Sequence, residues 1–250
     1  MQKRKNWDRQ ELVIAFGLYC HMSFGKMHSR NPDIIKVAKL IDRTPSALAM
    51  KLTNIASLDP EIISTGRKGL SGASNADKKM WDEMHENWDD FALESSNALN
   101  QLLSVQPADL PDTDNYIGNT RTTNVEVRIG QNFFRKSVLS AYNDTCCISG
   151  LSIPKLLVAS HIVPWRVDAS NRLNPSNGLC LSMLHDKAFD IGMIAIQNDM
   201  TVITSKTITS QDSFFKAAIK SYEGKRIAHP DKFQPNLDFL EYHRENIFQP

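Results

Sequence analysis

Residues 156–192 read LLVASHIVPWRVDASNRLNPSNGLCLSMLHDKAFDIG, and the order of signals in this stretch decides how the second half of the chain folds. The apolar run before Ser160 fits a short strand, and His161 stands at its end, followed by Ile-Val-Pro-Trp, where Pro164 stiffens the turn. Asn177 sits in Pro-Ser-Asn-Gly, a turn tetrad in which Asn commonly bonds nearby backbone. NGLCLS then reads as a second strand, and His185 and Asp186 open a helical segment that ends before Gly192. An imidazole, with an ordinary pKa of about 6.5, takes a proton from water near neutrality. A carboxylate is a hard donor suited to Mg²⁺ or Mn²⁺. The stretch therefore brings a candidate general base, an orienting amide and candidate cation ligands onto neighbouring elements.

Working outward, VRIGQNFFRKSVLSAYNDTC predicts a helix from about Gln131 to Tyr142, with Phe133, Phe134, Val138, Leu139 and Tyr142 mostly inward. CCISG, MIAIQ and MTVITS read as further short strands, with Asn198-Asp199 as a hairpin turn between the last two. The tail, 211–245, reads as helix and loop.

Three pieces, GQNFFRKSVLSAYNDTCCISG, SHIVPW and NPSNGLCLSMLHDKAFDIGMIAI, together resemble the HNH endonuclease family of the ββα-metal fold, nearest its restriction-endonuclease-like subgroup. The resemblance spans residues 128–196, a little over a quarter of the chain. It implies metal-dependent hydrolysis of a DNA phosphodiester, leaving 5′-phosphate and 3′-hydroxyl ends, with Mg²⁺ or Mn²⁺ as cofactor and double-stranded DNA as partner. His161 matches the residue that activates water, and Asn177 the residue that pins the loop beside it. Counting nine residues forward from Asn177, where the commoner pattern has its last His, gives Asp186, with His185 one before it. Asp186 is thus the first metal ligand expected, and His185 a second, also counted with the catalytic residues. Asp190, four residues further on, either binds metal or ends the helix. Many members have Asp or His immediately before the base; Ser160 stands there in this chain, so waters and phosphate oxygens are expected to complete the shell. The setting implied is restriction or antiviral defence, and a homodimer is plausible because cutting both strands needs two sites or two events. Two other readings stay open: a DNA-binding regulator whose HNH site is degenerate, and an RNA-directed HNH enzyme.

Charge does not choose among them. Lys and Arg number 29 against 28 Asp and Glu, a net charge of +1, whereas a protein that merely coats DNA is far more basic. Basic residues nonetheless cluster, at Lys3–Lys5, at Arg67 and Lys68 in a Gly-containing loop, and at Arg128, Arg135 and Lys136. Gln131 and Arg135 share one face of their helix and resemble family positions; phosphate contact and core packing are equally compatible with them. The four cysteines, Cys20, Cys146, Cys147 and Cys180, form no CxxC pair and read as buried thiols. There is no run of about 18 apolar residues and no apolar stretch behind the basic start, so a cytoplasmic protein with no membrane segment is expected.

The first half is helical by pattern. Asp8 can cap a helix with an apolar stripe through Leu12, Ile14, Ala15, Leu18 and Tyr19; Asn31-Pro32 and Thr44-Pro45 start two more. KVAKLIDRTPSALAMKLTNI resembles a helix-turn-helix, including the Myb-like kind that opens on a Trp, here Trp7; Arg43, Ser46, Ala47, Met50 and Lys51 would then lie on or near the DNA face. A three-helix bundle with no DNA role gives the same periodicity. KKMWDEMHENWDDFALES reads as one acidic helix. The expected architecture is α+β: a helical, helix-turn-helix-like domain over 1–95, a linker over 96–122, and an HNH nuclease domain over 123–250.

Overall fold

The computed structural model describes residues 6–64, 66–67, 70, 72–104, 121–207, 210 and 212–250. The chain divides into two compact units, Met1–Ser137 and Val138–Pro250.

The described part of the first unit is helical: α1 (Arg9–Cys20), α2 (Pro32–Leu40), α3 (Pro45–Ala56), α4 (Pro60–Ser64), α5 (Asn75–Glu86), α6 (Trp88–Leu103) and most of α7 (Arg121–Ala141). Asp8 caps α1 in a capping box with Glu11, and Asn31 and Thr44 cap α2 and α3, each followed by Pro in the first turn. Leu12 through Cys20 are all buried, so α1 has no solvent face and is the central helix, packed against α3, α5 and α6. Phe16, Phe91 and Phe133 meet edge to face at 6.4 Å, Phe91 being common to both pairs.

Several expectations are corrected here. The acidic stretch is two helices, because Asn87 leaves helical geometry (φ −147°, ψ 89°) and its side chain accepts from Asp90 N to cap α6. α6 continues to Leu103, inside the segment read as a linker; residues 105–120 lie outside the described residues. α7 starts at Arg121, earlier than the pattern suggested.

Arg43 and Lys51 do not offer their charges to DNA. Arg43 donates to the Glu11 carboxylate at 2.6 and 3.0 Å and to Asn6 O at 2.6 Å. Lys51, 6% exposed, donates at 2.7 Å to Asp77, which is fully buried. Both cations also lie over the Trp7 ring, at 4.5 and 5.0 Å from its centroid. Taking these charges out of water is tolerable only because each is paired. Trp7 and the two cations therefore tie the chain entry to α3. Ser46 is exposed in the first turn of α3, and Met50 one turn on is 54% exposed. Arg67 is half-buried, its guanidinium 5.7 Å from the Phe24 centroid; Lys68 lies outside the described residues. Gln131 and Arg135 are half-buried along α7.

The second unit holds two antiparallel pairs. β1 (Leu157–His161) pairs with β2 (Gly178–Ser182) in the register Leu157↔Ser182 to His161↔Gly178, and β3 (Ile194–Ile196) pairs with β4 (Val202–Thr204). α8 (Met183–Asp190) follows β2 directly and packs on β1, β2 and β3. α9 (Ser213–Ala218) and α10 (Leu237–Asn246) complete it, α10 against β3. β2 is buried at every position, so it is a core strand whose run of Leu179, Cys180 and Leu181 does not alternate. CCISG, expected as a strand, is a turn: Gly150 N donates to Cys146 O at 2.9 Å and Gly150 has φ +74°. Among the described residues no helix is long and apolar enough to cross a membrane.

Candidate active site

The register of β1 and β2 sets the site. His161 pairs with Gly178 at the open end of the ladder, so the residues between them, 162–177, form a loop that leaves and returns at the base of the imidazole. Ile162 N donates to Asn177 O at 2.9 Å and extends the pairing by one step.

Asn177, 1% exposed, closes that loop with its side chain. Its Oδ1 accepts from Val163 N at 2.8 Å, and its Nδ2 donates to Val163 O and Asn171 O, both at 3.1 Å. All three contacts are to backbone, which is why an amide carrying both donor and acceptor is needed. Arg172, next to Asn171, donates from Nε to Trp165 O at 2.9 Å and holds its guanidinium 5.3 Å from the Trp165 ring centroid. Trp165 in turn stands edge-on to His161 at 5.6 Å.

His161 Nε2 lies 2.9 Å from Arg172 O. A carbonyl only accepts, so Nε2 carries the proton and Nδ1 is the basic nitrogen. Burial pushes the imidazole pKa down to about 4, against the opposing pull of that carbonyl. At neutral pH the ring is therefore uncharged, as a proton acceptor must be.

Asp186 and Asp190, one turn apart, share a face of α8. Burial raises the Asp186 pKa, while the Ser160 hydroxyl and Lys187 pull it back. Asp190 is exposed at the helix end, yet partial desolvation by its neighbours and then repulsion from Asp186 raise it to about 6, against the pull of Lys187. Ser160 is 2% exposed on β1; its Oγ is near enough to favour the Asp186 carboxylate yet falls short of full hydrogen-bond geometry. The strand that carries the imidazole thus also touches the helix that carries the carboxyls.

His185 does not join them, which corrects its expected place among the ligands and catalytic residues. It is 3% exposed; Nε2 donates to Ala218 O at 2.9 Å, so Nδ1 is the acceptor, and the Ser182 hydroxyl meets it at 2.9 Å. The Tyr222 ring stands edge-on at 5.2 Å. Both ring nitrogens are engaged, and the side chain anchors the first turn of α8 to the last residue of α9. A pocket of about 500 Å³ on this side is lined by His185, Ser182, Met183, Leu156 and Tyr222 among others, and by none of His161, Asn177, Asp186 and Asp190.

The pinning of Nε2 by Arg172 O had no signal in the sequence, because it comes from backbone. Among the described residues no cluster of three or more His, Cys, Asp or Glu side chains is gathered to hold an ion.

Strand, strand and helix in that order, with an imidazole closing the first strand and two carboxyls on the helix, define a ββα unit. Residues 146–197, about a fifth of the chain, match the family described as HNH endonuclease. No curated protein matches the chain.

Proposed function

We propose that the protein is a metal-dependent DNA endonuclease whose site comprises His161, Asn177, Ser160, Asp186 and Asp190. The observation that carries the proposal is a neutral imidazole with a fixed tautomer at the end of β1, on a strand against which α8 packs, with Asp186 and Asp190 on one face of that helix and Asp190 held up as an acid by desolvation and by the Asp186 charge. Such a pair is relieved by a divalent cation, and hard oxygen donors suit Mg²⁺ or Mn²⁺. The residues fit such an ion, with Asp186 and Asp190 as its protein ligands and waters and phosphate oxygens making up the rest. Bound there, the ion would supply Lewis-acid stabilisation of the negative charge that builds on phosphorus and the leaving oxygen.

His161 takes a proton at Nδ1 from the attacking water, and the Arg172 carbonyl stabilises the imidazolium that forms by accepting from Nε2–H. Asn177 keeps that carbonyl in place by holding the neighbouring Asn171 O and both backbone groups of Val163. The first unit contributes DNA affinity through its exposed residues, Ser46 among them, with Gln131 and Arg135 on α7. A role in restriction or antiviral defence, and action as a homodimer, complete the reading.

One observation favours the rival, a DNA-binding regulator with a degenerate site: a hydroxyl, Ser160, stands where a third strong ligand would serve. Incubating supercoiled plasmid with the protein and Mg²⁺ or Mn²⁺ separates the two. Nicking that is lost in His161→Ala, with DNA binding retained, is the expected result; a shift of DNA mobility without cleavage at any concentration of either ion would sink the nuclease reading.

A further inference from the structure

The last turn of α8, which carries Asp190, is held by the C-terminal segment of the chain. His243 on α10 is 1% exposed, donates from Nε2 to Phe189 O at 3.1 Å, and stacks on the Phe189 ring at 3.6 Å with the planes 11° apart. Phe189 immediately precedes Asp190. Just past the helix, Gly192 adopts φ +72° and hands the helix end back to the chain: its N–H donates to Phe189 O at 3.0 Å, and Met193 N donates to Ala188 O at 2.8 Å. The chain terminus lies hard against this turn. A Cβ on Gly192 would sit 2.1 Å from Ile247 O. Gln249 N donates to Gly192 O at 3.0 Å, and its side-chain Nε2 to Ile191 O at 3.1 Å. Arg244 fixes the same segment to the β3–β4 hairpin, donating to Ile196 O at 2.8 Å and Asn198 Oδ1 at 2.7 Å.

A helix ends with carbonyls that lack partners inside the helix, and its last turn frays unless something else bonds them. Here the carbonyls of Phe189, Ile191 and Gly192 are all bonded, and three of these bonds come from residues more than fifty positions further along the chain. Asp186 lies in the first turn of α8 and Asp190 is its last residue, so the position of Asp190 relative to Asp186 depends on how firmly the helix end is held.

We propose that His243 is a positioning residue for Asp190: through Phe189, and with Gln249 behind it, it fixes the last turn of α8 and hence the spacing of the two carboxylates that receive the divalent cation. This rests on the reading of Asp186 and Asp190 as cation ligands. A bidentate-like donor pair loses affinity when one member wanders, whereas the proton transfer at His161 does not depend on it. The effect of loosening the clamp falls on cation binding first.

The test is Mn²⁺ binding to the full chain without DNA, read from the free-ion electron paramagnetic resonance signal, alongside metal titrations of plasmid nicking and the thermal midpoint. His243→Phe keeps the stack and removes the bond; it weakens Mn²⁺ binding about tenfold, the lower end of what outer-shell partners contribute. His243→Gln restores a donor and recovers most of that loss. In nicking, the half-saturating metal concentration rises by the same factor while the rate at saturating metal changes little. A folded His243→Phe protein with unaltered Mn²⁺ affinity overturns the proposal, even if its thermal midpoint has dropped. Should His243→Phe not fold, Gln249→Ala decides: it removes one exposed bond, for an expected shift of about twofold, and no shift overturns the idea. Asp190→Asn is run in parallel. If that variant binds Mn²⁺ as the parent does, the ligand reading itself has failed, an outcome distinct from failure of the clamp.

Discussion

Replacing Asn177 by Ala removes three hydrogen bonds at a position that is 1% exposed. The costliest loss is the acceptor for Val163 N, since Val163 is itself 4% exposed and no water replaces the bond readily. An unsatisfied buried amide costs about 1–3 kcal/mol, and adding the two carbonyls that lose their donor brings the local penalty to roughly 2–4 kcal/mol. That loss falls on one loop rather than on the whole molecule, so its readout is the hydrogen exchange of the Val163 amide, expected to quicken on the order of 10²-fold at about 1.4 kcal/mol per decade. The loop also carries Arg172 O, the partner of His161 Nε2, so the imidazole swings with it. A misplacement of about 1 Å costs on the order of 10²-fold in rate. Single-turnover nicking at saturating metal should fall by that factor while Mn²⁺ affinity stays put. Asn177→Asp should be worse than Ala, because it keeps the acceptor for Val163 N but turns an oxygen towards the carbonyls of Val163 and Asn171. Near-normal cleavage in Asn177→Ala, with Val163 still protected from exchange, would refute the chain of argument from amide to loop to base.

The pH profile gives a second check. A base works only when deprotonated, so burial of His161 puts the acid limb near pH 4 rather than 6.5, provided the carboxyls are already ionised. With limiting metal the limb should instead follow Asp190, near pH 6, and raising the metal concentration should draw it down, since cation binding competes with protons. A limb that ignores metal concentration would remove the carboxyls from the cation site. Gly192→Ala should destabilise the second unit by several kcal/mol, because a Cβ there meets Ile247 O at 2.1 Å and φ is +72°; a thermal midpoint within a degree of the parent would show that the tail is not packed as described. In the first unit, Lys51→Ala leaves Asp77 buried and unpaired, for an expected loss of about 3–5 kcal/mol in urea unfolding, while Lys51→Ala with Asp77→Ala together should recover part of it.

What could be read from the sequence follows the range of the physics involved. Helix starts were legible because a cap acts within three residues: Asp8, Asn31 and Thr44 lie beside the amides they serve. His161 and Asn177 were legible because a strand end and a tight turn leave local marks. The choice between His185 and Asp186 was harder, since neighbours on a helix point about 100° apart. The deciding pattern was nevertheless present: His185, Ala188 and Phe189 make the buried stripe of α8, which leaves 186 and 190 on another face. The pairing of Arg43 and Lys51 has no local mark, because their partners, Glu11 and Asp77, lie 32 and 26 residues away, and no window of local pattern contains such pairs. CCISG reads as a strand by residue type, but Gly150 in a left-handed conformation closes it as a turn.

The loop between β1 and β2 is fastened by the Asn177 amide and by Arg172, which bonds Trp165 O and lies against its ring, while Arg166, Val167, Ala169 and Ser170 at its crown are exposed. The side chains at the crown take no part in those fastenings. A cysteine placed at residue 169 and coupled to a fluorescent dye would leave the reacting groups undisturbed while sampling the space directly over them. The arrival of a duplex could then be watched optically, separately from its scission.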